Sequence, residues 1–267
     1  MFSENQLHRY SRQLILNEFG PQAQRKLLDS RVLVIGSGGL GSPALLYLAA
    51  AGAGTIGIAD FDTVDLSNLN RQILFTENDV GTAKAEAALT RLCGLNKDIR
   101  YIVHSDKMTV GNILSTIVDY DFVIDSTDTR ATKLLINDAC ILQKKPFCHA
   151  GALEFGGQLM TVVPYQSACL RCIFEDVSER ETLTCAQVGI LGPIVGVLGT
   201  LQAFEAIKYV TGTGIPVLDS ILVYQGDINR FHSIRVKKNL GCAVCGENPI
   251  ITALDDKEYP FADRCRE

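Results

Sequence analysis

Between residues 31 and 150 one pattern repeats: a short apolar run, a turn, then a longer stretch with apolar residues at helical spacing. The runs predict strands at 32–36, 55–60, 101–105, 122–125 and 146–150. The stretches between them predict helices at 40–52, 82–95, 110–118 and 130–143. Strands alternating with helices imply a doubly wound parallel sheet with right-handed crossovers. Ligands of such sheets sit at the carboxyl ends of strands, near a switch point. Gly36, Asp60 and Asp125 all fall at strand ends of that kind.

The flanking regions read differently. Residues 5–29 are expected to be helical, with Leu7, Leu14, Ile15 and Leu27 apolar and Arg9, Tyr10, Arg12 and Gln13 forming a polar, partly basic side. After Gly151 a strand is expected at 158–163 and a long apolar helix around 188–210. Residues 220–225 and 230–235 flank Gly226-Asp-Ile-Asn229 and read as an antiparallel hairpin. The fold class is therefore α/β, a Rossmann-like doubly wound sheet with a parallel first half and an antiparallel second half. Residues 1–30 form an N-terminal helical arm, 31–250 one continuous domain, and 251–267 a charged tail expected to be loosely attached.

Composition narrows the classes. The chain has 267 residues, 47% hydrophobic and 21% charged, an ordinary balance for one large globular domain. A net charge of −5 without a long basic block argues against a nucleic-acid groove. The apolar run Val188 to Phe204 contains four glycines and a proline and is short of the roughly 20 apolar residues of a membrane span. The polar, acidic start Met1-Phe-Ser-Glu-Asn-Gln has no export pattern, so a cytoplasmic location is expected. Nine cysteines in that setting point to metal or thiol chemistry rather than a disulfide framework.

The candidate chemistry begins at Gly36-Ser-Gly-Gly-Leu-Gly41. Gly36, Gly38, Gly39 and Gly41 let the backbone turn tightly and approach a phosphate, and the helix that follows offers free N–H groups to an anion. Asp60 ends the next strand at the spacing where a carboxylate meets a ribose hydroxyl. Close strand–helix packing uses the same glycines, and NAD or FAD would suit the loop as well. The polar run Ser67, Asn68, Asn70, Arg71 after the acid is what a plain dinucleotide binder does not need. Arg71 and Lys84 can neutralise phosphate charge. Asp128, just beyond a strand, is a natural magnesium ligand beside a polyphosphate. Together these charges at strand–helix junctions point to a triphosphate with magnesium.

Cys169-Leu-Arg-Cys172 and Cys242-Ala-Val-Cys245 are two CxxC knuckles far apart in sequence. Such a set makes a closed tetrahedral zinc site, structural rather than catalytic, clipping the C-terminal hairpin to the loop after residue 163; unrelated buried thiol pairs and a redox pair, for which one knuckle would suffice, are the other readings. Cys185 precedes a predicted helix start, where a thiol can gain nucleophilicity; a buried thiol packing as a small apolar group is the plainer reading. Cys93, Cys140 and Cys148 are expected in the core, Cys265 has no identifiable partner, and His8 and His149 could approach the site, although surface or core positions are the plainer reading.

Taken in order, Arg9-Tyr-Ser-Arg-Gln13, Gly36-Ser-Gly-Gly-Leu-Gly41, Asp60-Phe-Asp with Ser67-Asn-Leu-Asn-Arg-Gln72, Lys84, Asp125-Ser-Thr-Asp128 and the CxxC pairs resemble the bacterial ubiquitin-activating-like enzymes of the MoeB/ThiF/HesA family. The resemblance covers about residues 5–246, without an appended rhodanese domain, as in the short form of that family. It implies ATP-dependent adenylation of the C-terminal glycine of a small ubiquitin-like (β-grasp) sulfur-carrier protein ending in Gly-Gly. Pyrophosphate is released, and a sulfur donor such as a cysteine desulfurase or rhodanese then forms a thiocarboxylate. It further implies that Asp60 holds the ribose, Arg71 and Lys84 the phosphates and Asp128 the magnesium. Gly39 would lie against the nucleotide, and Arg12 would reach into the partner's site of a homodimer. Cys185 matches a position that joins carrier or sulfur chemistry in some members. Two positions depart from the family pattern: Thr129 stands where Asn is usual and Lys133 where Arg is common. A tRNA-modifying cyclase of the same superfamily, a dehydrogenase and a non-catalytic scaffold are the rival readings; no membrane or nucleic-acid partner is expected.

Overall fold

The computed structural model describes residues 2–174 and 188–259. Cys185 and Cys265 lie outside the described residues. One sheet of eight strands runs in the order β3-β2-β1-β4-β5-β6-β7-β8. Its strands are β1 (Arg31–Ile35), β2 (Thr55–Ala59), β3 (Arg100–His104), β4 (Phe122–Asp125), β5 (Phe147–Leu153), β6 (Gly156–Val162), β7 (Ser220–Gln225) and β8 (Arg230–Arg235). Pairing is parallel from β3 through β5 and antiparallel from β5 to β8. The parallel-then-antiparallel sheet and the hairpin at 220–225 and 230–235 match the expectation; β6 begins two residues before the expected 158.

The helices are α1 (Glu4–Arg9), α2 (Ser11–Leu14), α3 (Gly20–Asp29), α4 (Gly41–Ala51), α5 (Lys84–Leu95), α6 (Ile113–Ile117), α7 (Arg130–Leu142), α8 (Arg171–Phe174) and α9 (Gly192–Thr211). They cover both faces of the sheet. Successive residues of a strand point to opposite faces, so Val32 and Val34 of β1 enter the core that holds Leu27, Leu45, Leu48 and Leu198. Leu33 and Ile35 enter the other, with Ile117, Leu135 and Tyr120. Each such aliphatic side chain taken out of water contributes about 1.5–3 kcal/mol. The long helix α9 packs across β4, β5 and β6 and against α4. Its Gly199 makes the second contact possible, because a Cβ there would collide with the Leu40 carbonyl oxygen. Among the described residues no helix is long and apolar enough to cross a membrane.

Three local expectations are corrected. The arm is not one helix: Tyr10, completely buried, accepts a hydrogen bond from Asn96 Nδ2 at 3.0 Å and interrupts it between α1 and α2. Gly20 at φ +59°, followed by Pro21, then starts α3 afresh. The C-terminal segment is not loose as far as Tyr259. Ile251 and Tyr259 are buried, and the Tyr259 hydroxyl donates to Asp138 Oδ2 at 2.8 Å. Cys93 is exposed on α5, while Cys140 and Cys148 are buried as expected.

Candidate active site and metal centre

β1 and β4 are parallel neighbours, with Ile35 opposite Asp125, although β2 and β3 lie between them in sequence. The connections leaving them therefore run to opposite sides of the sheet and leave a crevice at the reversal. Gly36 turns there at φ +91°, and a Cβ on it would stand 2.8 Å from the Ser126 carbonyl oxygen. Only glycine lets the two loops touch in this conformation. A Cβ on Gly41 would strike the Gly36 carbonyl, so the loop folds back on itself before α4 begins. Gly39 lies against Val195 at the start of α9, and Gly38 beside the Gln72 amide. Gln72 is buried, and its Oε1 has no hydrogen-bond partner among the described residues. A buried orphan acceptor beside a glycine loop fits a site that takes a further polar group.

The acid at the end of β2 is tied to this loop. Asp60 Oδ2 accepts from Ser37 N at 2.7 Å and Ser37 Oγ at 2.8 Å, while Oδ1 accepts from Asp62 N at 3.0 Å. A carboxylate has about four acceptor positions, so capacity for a hydroxyl remains. Lys84, at the first position of α5, is buried and pairs with Asp62 at 3.1 Å. Arg71 is half-buried and bends back over its own loop, donating to Ser67 O at 2.9 Å and Asn70 Oδ1 at 3.1 Å. Asn68 accepts from Asp65 N at 3.3 Å, closing the 3₁₀ turn Leu66–Asn68. The start of α9 presses on the same loop: a Cβ on Gly192 would lie 2.5 Å from the Asn70 carbonyl oxygen.

Asp128 is exposed in the turn between β4 and α7. The adjoining departure has a local explanation, since Thr129 caps α7 by accepting from Thr132 N at 3.3 Å. Threonine serves that position almost as well as asparagine. Beneath the turn lies a group that the sequence did not reveal: Asp125, Lys133 and His149, all buried or nearly so and mutually paired. Burial would raise the Asp125 carboxyl, but Lys133, then His149 and Thr127, hold it well below the usual carboxylate range. His149 is pushed the other way from its ordinary 6.5, downward, mainly by burial and then by Lys133. A lysine and a histidine 8 and 24 positions from their acid carry no spacing signal.

Arg12 is not brought to its own chain's crevice. Its neighbour Gln13 donates to Ala51 O at 3.1 Å, at the C-terminal end of α4, whereas the glycine loop is at the N-terminal end. An eleven-residue helix separates the two by roughly 15 Å. Beside Gln13 an apolar groove of about 310 Å³ runs between α4 and α9, lined by Tyr47, Ala50, Ala203, Phe204 and Ile207.

The four knuckle cysteines come together. Their sulfurs all lie within 4.8 Å of one another, with Cys169–Cys172 at 3.9 Å, Cys169–Cys242 at 3.7 Å and Cys172–Cys245 at 3.4 Å. Metal–sulfur bonds of about 2.3 Å in a tetrahedron put sulfurs about 3.8 Å apart, so the cluster fits a four-thiolate metal centre. Hydrogen bonding among the four splits them, lowering Cys172 and Cys242, the latter to about 6, and raising Cys169 and Cys245, so that thiols of one pair donate to thiolates of the other. The first knuckle is anchored through Arg171, whose Nε donates to both Asp138 oxygens at 2.9 Å, and through Leu170 N, which donates to Asn137 Oδ1 at 2.9 Å.

The ThiF family model matches residues 10–244, a span that takes in the glycine loop, the acid at the end of β2 and all four cysteines but Cys245. The chain belongs to the ThiF family. Among its relatives, "Adenylyltransferase and sulfurtransferase MOCS3" of Aedes aegypti is 45% identical over 258 residues, 96% of this chain and 59% of that protein. "Sulfur carrier protein ThiS adenylyltransferase" of Escherichia coli (strain K12) is 44% identical over 239 residues, 89% of this chain and 94% of that protein. This ThiF-family chain thus spans about three fifths of the length of the MOCS3 relatives it matches. Among solved structures, E. coli MccB with MccA-N7isoASN is similar at a TM-score of 0.80 and 25% identity, over 89% of this chain and 75% of that one.

Proposed function

We propose that this ThiF-family chain adenylates the C-terminal glycine carboxylate of a small ubiquitin-like sulfur-carrier protein, in the cytoplasm. The observation that carries the reading is the convergence at one switch point of the glycine loop, Asp60, Lys84 and the Asp128 turn. That convergence stands in a chain 44% identical to a protein named for ThiS adenylation, along 94% of that protein.

The reaction joins two anions. A carrier carboxylate oxygen bonds to the α-phosphorus of ATP, the bond to the bridging oxygen breaks, and pyrophosphate leaves with the electron pair. The carboxylate is already ionised at neutral pH, so no general base is required. The difficulty is repulsion and alignment, and the residues answer both. The glycine loop and the first N–H groups of α4 receive phosphate oxygens. Asp60 accepts from a ribose hydroxyl. Lys84 supplies a fixed positive charge and Arg71 swings from its own loop onto the phosphates. Asp128 holds magnesium, which would screen the triphosphate charge and stabilise the leaving pyrophosphate.

Arg12 acts in the partner's site of a homodimer. The distance between α2 and its own glycine loop supports this, as does the apolar groove beside Gln13, where Tyr47 and Phe204 are more than half exposed. The four cysteines hold zinc as a structural clip. Residues 31–250 form the adenylating domain, 1–30 an arm and 251–267 a tail. Thiocarboxylate formation then needs a sulfur donor such as a desulfurase or rhodanese, serving thiamine, molybdopterin or related synthesis; Cys185 is the candidate thiol in this chain.

The test is ATP–pyrophosphate exchange with a panel of small carriers ending in Gly-Gly, each also with its last glycine deleted. Exchange with one carrier, lost on deletion, is expected and names the pathway. Tight ATP binding without exchange for any carrier would overturn the protein substrate. Mixed dimers of Arg12→Ala and Asp128→Ala should regain one working site; none regained would overturn an arginine acting across the dimer.

A further inference from the structure

Asp125 closes β4 three residues before Asp128, and its surroundings keep its carboxylate charged and still. It is completely buried. Oδ1 accepts from Thr127 N at 3.0 Å and from Thr127 Oγ1 at 2.7 Å. Oδ2 lies 2.9 Å from His149 Nδ1, in the tautomer that donates from that nitrogen. Lys133, in the first turn of α7, spans both oxygens at 3.5 and 3.3 Å and donates to Ala150 O at 2.7 Å. The backbone at the same strand end is fastened from the other side. Gln202 Nε2 donates to Asp125 O at 2.7 Å, and Gln202 Oε1 accepts from Ser126 Oγ at 3.2 Å. Residues 125, 126 and 127 are thus each held, and Asp128 is the next residue out.

The hold on Thr127 depends on charge. Hydrogen bonds to an ionised acceptor are roughly twice as strong as neutral ones. A carboxyl this deeply buried stays ionised only through its partners, and Lys133 is the first of them. Without the ammonium, the balance at Asp125 would move towards the neutral acid and the grip on the Thr127 amide and hydroxyl would weaken. An apolar side chain would fill the same space without the desolvation of a buried pair. A lysine at this point, directly under the turn, serves something other than packing.

We propose that Lys133 is a positioning residue for Asp128: through the Asp125 carboxylate it fixes Thr127, and so sets the turn from which Asp128 meets magnesium. The inference rests on the reading of Asp128 as the magnesium ligand. Residues directly behind a metal ligand typically change metal affinity by about 10–100-fold when removed, and Lys133, which acts through Asp125 and Thr127, belongs at the lower end of that range.

The experiment is calorimetric titration of the full chain with ATP, once with magnesium and once in EDTA. It compares wild type with Lys133→Met, Lys133→Arg, Thr127→Val, Asp128→Ala and the double variant Lys133→Met/Asp128→Ala. Asp128→Ala should abolish the affinity gained from magnesium. Lys133→Met should cut that gain roughly tenfold while leaving binding in EDTA unchanged. Lys133→Arg should retain the gain, Thr127→Val should lose part of it, and the double variant should be no worse than Asp128→Ala. A full magnesium gain in Lys133→Met and Thr127→Val, or additivity in the double variant, overturns the positioning role while leaving Asp128 as ligand. A full gain in Asp128→Ala overturns the magnesium reading and this inference with it. Should Lys133→Met not fold, Thr127→Val decides, since Thr127 is only half-buried and the substitution keeps its shape.

Discussion

Lys84→Met separates catalysis from stability sharply. The Lys84 side chain is 7% exposed and pairs with Asp62, which is 49% exposed. An ion pair with one half-hydrated partner contributes about 0–1 kcal/mol. Methionine fills nearly the same volume, needs no counter-charge, and leaves an Asp62 that water can solvate. The net change in stability is therefore expected within about 1 kcal/mol, or roughly 2–4 °C in Tm for a chain of this size. The loss to the reaction is of another order. Removing one preorganised group that stabilises developing charge costs about 10²–10³ in rate, or about 2.7–4 kcal/mol. Carrier-dependent pyrophosphate exchange and thermal denaturation on the same preparations read the two effects. Exchange within about tenfold of wild type would refute a phosphate role for Lys84. A Tm lower by more than about 8 °C would show that the buried pair holds the start of α5 rather than a substrate.

Cys172→Ser should lower bound zinc, read by atomic absorption, and cost more than about 4 kcal/mol in urea unfolding, the range in which metal-site losses fall; a metal-free variant of full stability would refute the structural centre. Tyr259→Phe removes a 2.8 Å hydrogen bond to the buried Asp138, the partner of Arg171, and should cost about 1.5–3 kcal/mol, with ATP affinity unchanged. Stability should fall with acid in two steps. The His104 and His149 pKa values both lie below the ordinary 6.5 in the folded chain, chiefly through burial, so unfolding binds protons and stability is lost as pH drops below about 6.5 towards those lowered values. Asp125, depressed from 3.8, adds its loss only below about pH 4. His149→Gln should flatten the upper step of a Tm-against-pH series, and an unchanged slope would count against a neutral buried His149.

Much of the candidate site was legible because its parts are local. A glycine turn after an apolar run, an acid at the next strand end and a cation at a helix start each need only the chain's own neighbours. The crevice they share follows from the alternation of strands and helices. The four cysteines were legible for a different reason: few other arrangements suit two thiol pairs at CxxC spacing. The corrected points involve packing from far along the chain. Tyr10 breaks the arm because Asn96 donates to its buried hydroxyl, and Tyr259 is anchored because Asp138 lies within reach.

The chain therefore dictates strand order of appearance, turn chemistry and the inventory of charged and thiol groups, since propensity, periodicity and metal-ligand spacing act over a few residues. Which charges meet was settled by folding. Lys84 finds Asp62 across 22 positions, Lys133 and His149 converge on Asp125, and Arg171 and Tyr259 share Asp138. Such pairings arise where a buried charge must be compensated, and burial depends on how the sheet and both helical layers close around it.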